Sequence, residues 1–372
     1  MFPLMKSSTL IRSLLVASTF TLAMLFPANG AEWESLSQKI AESIPELRTS
    51  EAGFSATGSL VSLPLTGELF LVGIGENRVV RSTDQGLTWE RMDVEVTGRT
   101  YGGFSVNADA QSGGLAIFSV KHRGNPNPQM VLRQAKDAPW VPFEKPSLGD
   151  HDGFSWGTMN WADPLAERSI ILAKRHHGAP EQWLSTDSGA SWKRLSYLCR
   201  NPGVIDAETF VAGIDDSVEA VENGIYRSTD QGVNYQKVSD FVPTGKTPVR
   251  WDDNFYWTID NGVIVSRDGG ATWEHTGGQV EQALWGPYFG RSEDEMMIVG
   301  GKGFFVTQDG GRSWRKVHDF YLPGDPATIA ESYNIMHPTA SFGWDPAQDI
   351  LYAARIFWTA ERLRLPLGTL FQ

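Results

Sequence analysis

Five aspartates in this chain recur in one local pattern: Asp84, Asp187, Asp230, Asp268 and Asp309. Repeated carboxylates can serve acid–base catalysis, metal ligation, or hydrogen bonding to their own backbone. Each lies in an octapeptide Ser/Thr-x-Asp-x-Gly-x-x-aromatic, completed by Gly86 and Trp89, Gly189 and Trp192, Gly232 and Tyr235, Gly270 and Trp273, and Gly311 and Trp314. Each follows a short apolar run such as Val263-Ile264-Val265. One shared role at five separated points cannot converge on a single site, so the third reading is preferred. The aspartate is expected to accept from backbone N–H groups one to three residues on. The glycine accepts a positive φ, and the aromatic opens the next strand and buries against a neighbouring sheet.

A second set of residues carries positive or titratable groups. It comprises Lys121-His122-Arg123, Lys174-Arg175-His176-His177, Arg78, Arg355, and His151 between two aspartates. His176 and His177 have no third ligand in view, so no metal is expected. Nor does any motif call for a cofactor. In an acidic chain these groups are a candidate local patch for an anionic group on a partner.

The octapeptides resemble the Asp box, or BNR repeat, of sialidases, sortilin-type receptors, xyloglucanases and the photosystem II stability/assembly factor family. The resemblance covers most of the chain after its leader. It implies an all-β protein, a β-propeller, with each box in the turn between the third and fourth strands of a blade. The sialidase Arg-Ile-Pro signature is missing, and its nearest string is Arg355-Ile356-Phe357. One cysteine, Cys199, cannot supply the Cys-rich modules of sortilin-type receptors. The chain is too short for the paired propellers of xyloglucanases. The assembly-factor family is the better match, in layout and in the Asp-Gly-Gly-x-x-Trp style of box. It implies noncatalytic binding of a membrane or envelope protein. A glycan-binding or glycan-cleaving propeller is the alternative.

Box spacing sets the blade count. The aspartates are 103, 43, 38 and 41 residues apart, and the long first gap should hide a further blade. Arg133-Gln134-Ala135-Lys136-Asp137-Ala138-Pro139-Trp140 falls where a box belongs but lacks its Asp and Gly. Gly53-Phe54-Ser55, Gly103-Phe104-Ser105 and Gly153-Phe154-Ser155 recur every 50 residues and should open the inner strands of three blades. Leu284-Trp285-Gly286 and Phe342-Gly343-Trp344 are later equivalents. Seven blades are expected, in preference to six or eight, starting near residues 53, 103, 153, 200, 248, 283 and 339. The last is incomplete in its own sequence and needs a terminal strand. Trp33, Leu36, Ile40 and Ile44 are spaced for one face of a helix over 33–44, ending at Pro45. Residues 31–52 are therefore read as an N-terminal arm and 53–372 as the propeller.

Residues 1–30 read as a signal peptide: basic Lys6 and Arg12, an apolar stretch over 14–26, then Ala28-Asn29-Gly30 for cleavage. A periplasmic or secreted protein is expected. Without the leader, 30 basic face 44 acidic residues, a net charge of about −14, which disfavours nucleic acid. The single cysteine excludes an intrachain disulfide. A monomer is expected. If the boxes mark third-to-fourth turns, the basic clusters and Asp150-His151-Asp152 lie at the other end of the blades, where binding is expected.

Overall fold

The computed structural model describes residues 32–47, 59–74, 78–95, 104–119, 129–144, 159–162, 170–174, 182–187, 190–195, 201–215, 221–319, 341–354 and 360–371. Among them, strands form seven four-stranded antiparallel sheets. Sheets 1 to 6 are simple meanders over 60–95, 104–144, 159–195, 201–239, 249–275 and 283–318. Sheet 7 takes three strands from 341–364 and its fourth, Trp33–Ser35, from the other end of the chain.

The first strands of sheets 1 to 4 pack on one another in order, the first strand of sheet 6 packs on the second strand of sheet 5 and on the first of sheet 7, and the first strand of sheet 7 returns to that of sheet 1. Leu60 N–H donates to Ser341 Oγ at 2.7 Å, and Ser62 Oγ donates to the Trp344 carbonyl at 2.7 Å. The chain is an all-β β-propeller. The core lies between sheets: Leu60, Leu71 and Trp89 of sheet 1 pack with Ile350 and Tyr352 of sheet 7, and Ile205, Val211 and Ile225 of sheet 4 with Trp257 and Trp273 of sheet 5.

One sequence expectation changes. The helix is shorter than predicted, running over Leu36–Ser43, and Trp33–Ser35 is a strand. The open edge of Ala360–Arg364 captures that backbone, pairing Trp33 with Leu363 and Ser35 with Glu361. Ser35 then caps the helix by accepting from Gln38 N–H at 3.2 Å. The helix buries Leu36 and Ile40, with Ile44 and Leu47 beyond it, against sheets 1 and 7. Of the Gly-Phe-Ser triplets, the second meets the first strand of its sheet, Phe104–Ala108; the described first strands of sheets 1 and 3 are Leu60–Leu63 and Met159–Ala162. Gly53-Phe54-Ser55 and Gly153-Phe154-Ser155 lie outside the described residues.

Candidate binding face

The octapeptides join third to fourth strands, and each aspartate is spent inside its own turn. Asp84 Oδ1 accepts from Thr88 N–H at 2.9 Å and Ser82 Oγ at 2.8 Å, and its Oδ2 accepts from Thr88 Oγ1 at 2.7 Å. Asp187, Asp230, Asp268 and Asp309 repeat the arrangement with Ser191, Asn234, Thr272 and Ser313. The N–H held at 2.9 Å is thus four residues on, one beyond the sequence reading, while the N–H three residues on also favours the charged form at Asp84, Asp230, Asp268 and Asp309. The nearer N–H, of Gly86, goes instead to Ser82 Oγ at 2.8 Å. Gln85 and Gly86 hold φ of 61° and 86°, and the tight second position explains the glycine: a Cβ there would meet Leu36 at 2.5 Å.

These bonds favour the charged carboxylate. At Asp84, Asp268 and Asp309 burial pushes the group up, but the hydrogen bonds outweigh it and hold the carboxyl below its ordinary range. At Asp187 the Ser191 hydroxyl leads, and at Asp230 the Ser228 hydroxyl leads, pulling the group down to about 2. Carboxylates held this way are poor proton donors near neutral pH. Asp84→Ala is expected to cost about 1–2 kcal/mol in chemical denaturation, with little effect on any binding at the other end. Because the folded pKa lies below the unfolded one, the five turns contribute fully above about pH 4. That contribution is lost as pH falls toward about 2, so wild type should lose stability through this window and Asp84→Ala less steeply.

The degenerate second octapeptide substitutes an ion pair for the box. Arg133 occupies the place of the serine and is buried. Its Nη1 and Nη2 each donate to one oxygen of Glu68 of sheet 1 at 3.0 Å, and Nη2 also donates to the Gly113 carbonyl at 2.6 Å. The guanidinium stacks over Phe70 and Trp140. In sheet 7 the box is replaced by Asp349, whose oxygens accept from Gly368 and Leu370 N–H at 2.7 and 2.8 Å and hold the closing 3-10 turn Thr369–Phe371.

At this same end the turn between the first two strands of sheet 2 reaches sheet 5, three places away in order. Gln111 Nε2 donates to Asp252 Oδ1 at 2.8 Å, and Asp252 N–H donates to Gln111 Oε1 at 2.8 Å. Local chemistry shapes both sides: Asp109 Oδ1 accepts from Gln111 and Ser112 N–H, and Asp252 takes φ of 49°. First strands encircle an axis, so this reciprocal pair spans it at the octapeptide end.

Of the sequence-predicted patch, only Arg78 and Lys174 fall among the described residues, at the end opposite the octapeptides. Arg78 opens the third strand of sheet 1, paired with Ile74 and Glu95, and Lys174 ends the second strand of sheet 3 opposite Gln182. Lys121, His122, Arg123, His151, Arg175, His176, His177 and Arg355 lie outside the described residues. Among the described residues at this end, Lys237 is paired with Glu222 and Asp240, and Lys302 with Glu281. Lys246 differs: it is exposed and has no hydrogen-bond or ion-pair partner. Sequence reasoning missed it, because one lysine in Thr244-Gly245-Lys246-Thr247-Pro248 carries no pattern.

No family model matches this chain, and no curated protein matches it. Solved structures do. The chain is similar to YCF48 bound to D1 peptide, at 15% identity over 92% of this chain and 98% of that one, TM-score 0.45. It is similar to XC5397 from Xanthomonas campestris, a gluconolactonase, at 16% identity over 90% of each chain, TM-score 0.38. It is also similar to lmo1340 from Listeria monocytogenes EGD-e, at 8% identity over 82% of this chain and 90% of that one, TM-score 0.49. The assignment of a propeller rests on the chain's own sheets.

Proposed function

We propose that this chain is a noncatalytic interaction propeller of seven blades, exported from the cytoplasm, that binds a membrane or envelope protein through the face opposite the octapeptide turns. One observation carries the choice of face: the octapeptide end is chemically closed. Its five box carboxylates are consumed by their own turns, and Gln111 and Asp252 bridge the axis there. The basic clusters around Lys121 and Lys174 follow second strands in the sequence, and that position, read with the box turns at the other end, supports the opposite face. The class of partner comes from the resemblance of the boxes to those of assembly-factor propellers.

Replacing Lys121, Arg123, Lys174 and Arg175 by serine tests the reading. The full chain is used to capture proteins from its native envelope. The quadruple variant is expected to melt as wild type does and to lose at least tenfold in capture. Unchanged capture removes the patch. Turnover of a glycoside panel by the purified protein would replace the binding role with hydrolysis.

A further inference from the structure

At the octapeptide end, boxes close the gaps between neighbouring sheets. A Cβ on Gly232 would lie 2.7 Å from Leu195 of sheet 3, one on Gly270 2.9 Å from Val211 of sheet 4, and one on Gly311 2.6 Å from Thr276 at the end of sheet 5. Each of these boxes presses on the sheet before it. Sheet 7 has no box to press on sheet 6, because its fourth strand is the distant Trp33–Ser35 and no turn leads into it from Ala360–Arg364. The closing turn Thr369–Phe371 stands there instead, pinned by Asp349. Between it and the box of sheet 6 a cleft of about 310 Å³ remains.

The floor of the cleft is the edge of the core at Val306 and Leu370, and the half-buried Trp314 lines it while packing on sheet 5. Arg315 and Gln308 line it too, and both are exposed. Arg315 Nη2 donates to the Thr369 carbonyl at 2.5 Å, which fixes the guanidinium, and its other N–H groups have no partner among the described residues. The Gln308 amide has none there either. Asp309 is the one carboxylate of the lining. Burial pushes it up, but the hydrogen bonds of its own turn outweigh this and hold it ionised. Its charge offsets that of Arg315, so the cleft offers unused donors, an unused amide and apolar walls with little net charge.

We propose that this cleft binds a neutral saccharide through one pyranose ring of the all-equatorial β-D-gluco type. Such a ring presents axial C–H groups on both faces, which suits Trp314 and the apolar floor. Its rim presents neighbouring hydroxyl pairs, which accept from the planar fork of Arg315 and exchange hydrogen bonds with the Gln308 amide. An anionic ligand gains little, because the Asp309 charge lies in the same lining. The volume is at the small end of ligand sites, which run from roughly 300 to 1,000 Å³. The Thr369 clamp on Arg315 and the pinned turn mean that little order is lost on binding. Binding without hydrolysis is expected, since Asp309 is held ionised and has no proton to give. The cleft lies beside third and fourth strands, away from the face proposed above for a protein partner, and does not depend on that reading.

The test is saturation-transfer NMR on the full chain with a matched pair of probes, methyl β-D-glucopyranoside and methyl β-D-glucuronide. The glucoside should bind and the glucuronide bind more weakly. Arg315→Met should weaken the glucoside about tenfold or more, and Gln308→Ala severalfold. Arg315→Met also releases the Thr369 carbonyl, so Gln308→Ala, which touches no partner, keeps the test independent of folding and should melt as wild type does. Undetectable glucoside binding, undiminished binding by Gln308→Ala, or tighter binding of the glucuronide overturns the proposal. Envelope capture by Gln308→Ala is expected to be unchanged, so failure here is distinguishable from failure of the loop patch.

Discussion

A chain that begins at residue 48 is expected to fail as a soluble monomer, whereas one that begins at residue 31 folds. The shorter chain lacks the fourth strand of sheet 7 and leaves the edge of Ala360–Arg364 open. It also lacks Leu36, Ile40, Ile44 and Leu47, all buried against sheets 1 and 7. At about 1.5–3 kcal/mol for each side chain, the four contribute roughly 6–12 kcal/mol. That is comparable to the whole stability of a typical domain. Arg362 is stranded too: it is buried, and its Nε and Nη2 donate to Glu34 at 2.9 and 2.6 Å. Ile40→Ala gives a graded version, expected to cost about 2–5 kcal/mol in denaturant unfolding. A soluble, cooperatively melting chain from residue 48 would show that the strand is dispensable.

The second large effect is expected at Glu68. Its side chain is fully buried and serves Arg133 with both oxygens, Arg81 at 3.2 Å and Thr66 Oγ1 at 2.9 Å. Burial pushes the carboxyl up, but Arg133 and its other partners outweigh this and hold it ionised. Glu68→Ala leaves the Arg133 guanidinium buried without a counter-charge, at a cost of about 3–5 kcal/mol. Arg133→Met should cost less, because Arg81 and Thr66 still serve Glu68. Combining Glu68→Leu with Arg133→Met should recover much of the loss, since an apolar pair of similar volume carries no desolvation penalty. Urea unfolding of the three variants measures the order. A cost for Arg133→Met exceeding that of Glu68→Ala would contradict it.

Legibility in the sequence followed the range of the interactions. The octapeptides could be read because every bond of the turn from Ser82 to Thr88 lies within six residues. The Arg133–Glu68 pair was read only as a missing box, since its partners are 65 residues apart. The spacing from Trp33 to Ile44 suits a helix, whereas the edge that claims Trp33–Ser35 as a strand lies some 328 residues away. Register is fixed by cross-strand partners such as Leu60 and Leu71, and a recurring triplet does not encode it. Gln111 with Asp252, and Lys246, had no local signature at all.

The pairing of Trp33 with Leu363 also orders events in time. Sheets 1 to 6 are local meanders that can form as the chain emerges, each from its own four strands. The seam must wait for both ends, and joining them carries the loop-closure entropy of nearly the whole chain. Until then Ala360–Arg364 presents unpaired backbone groups that a strand of another molecule can take. Concentrated refolding should therefore yield molecules joined by exchange of this one strand, while the six meanders stay intact.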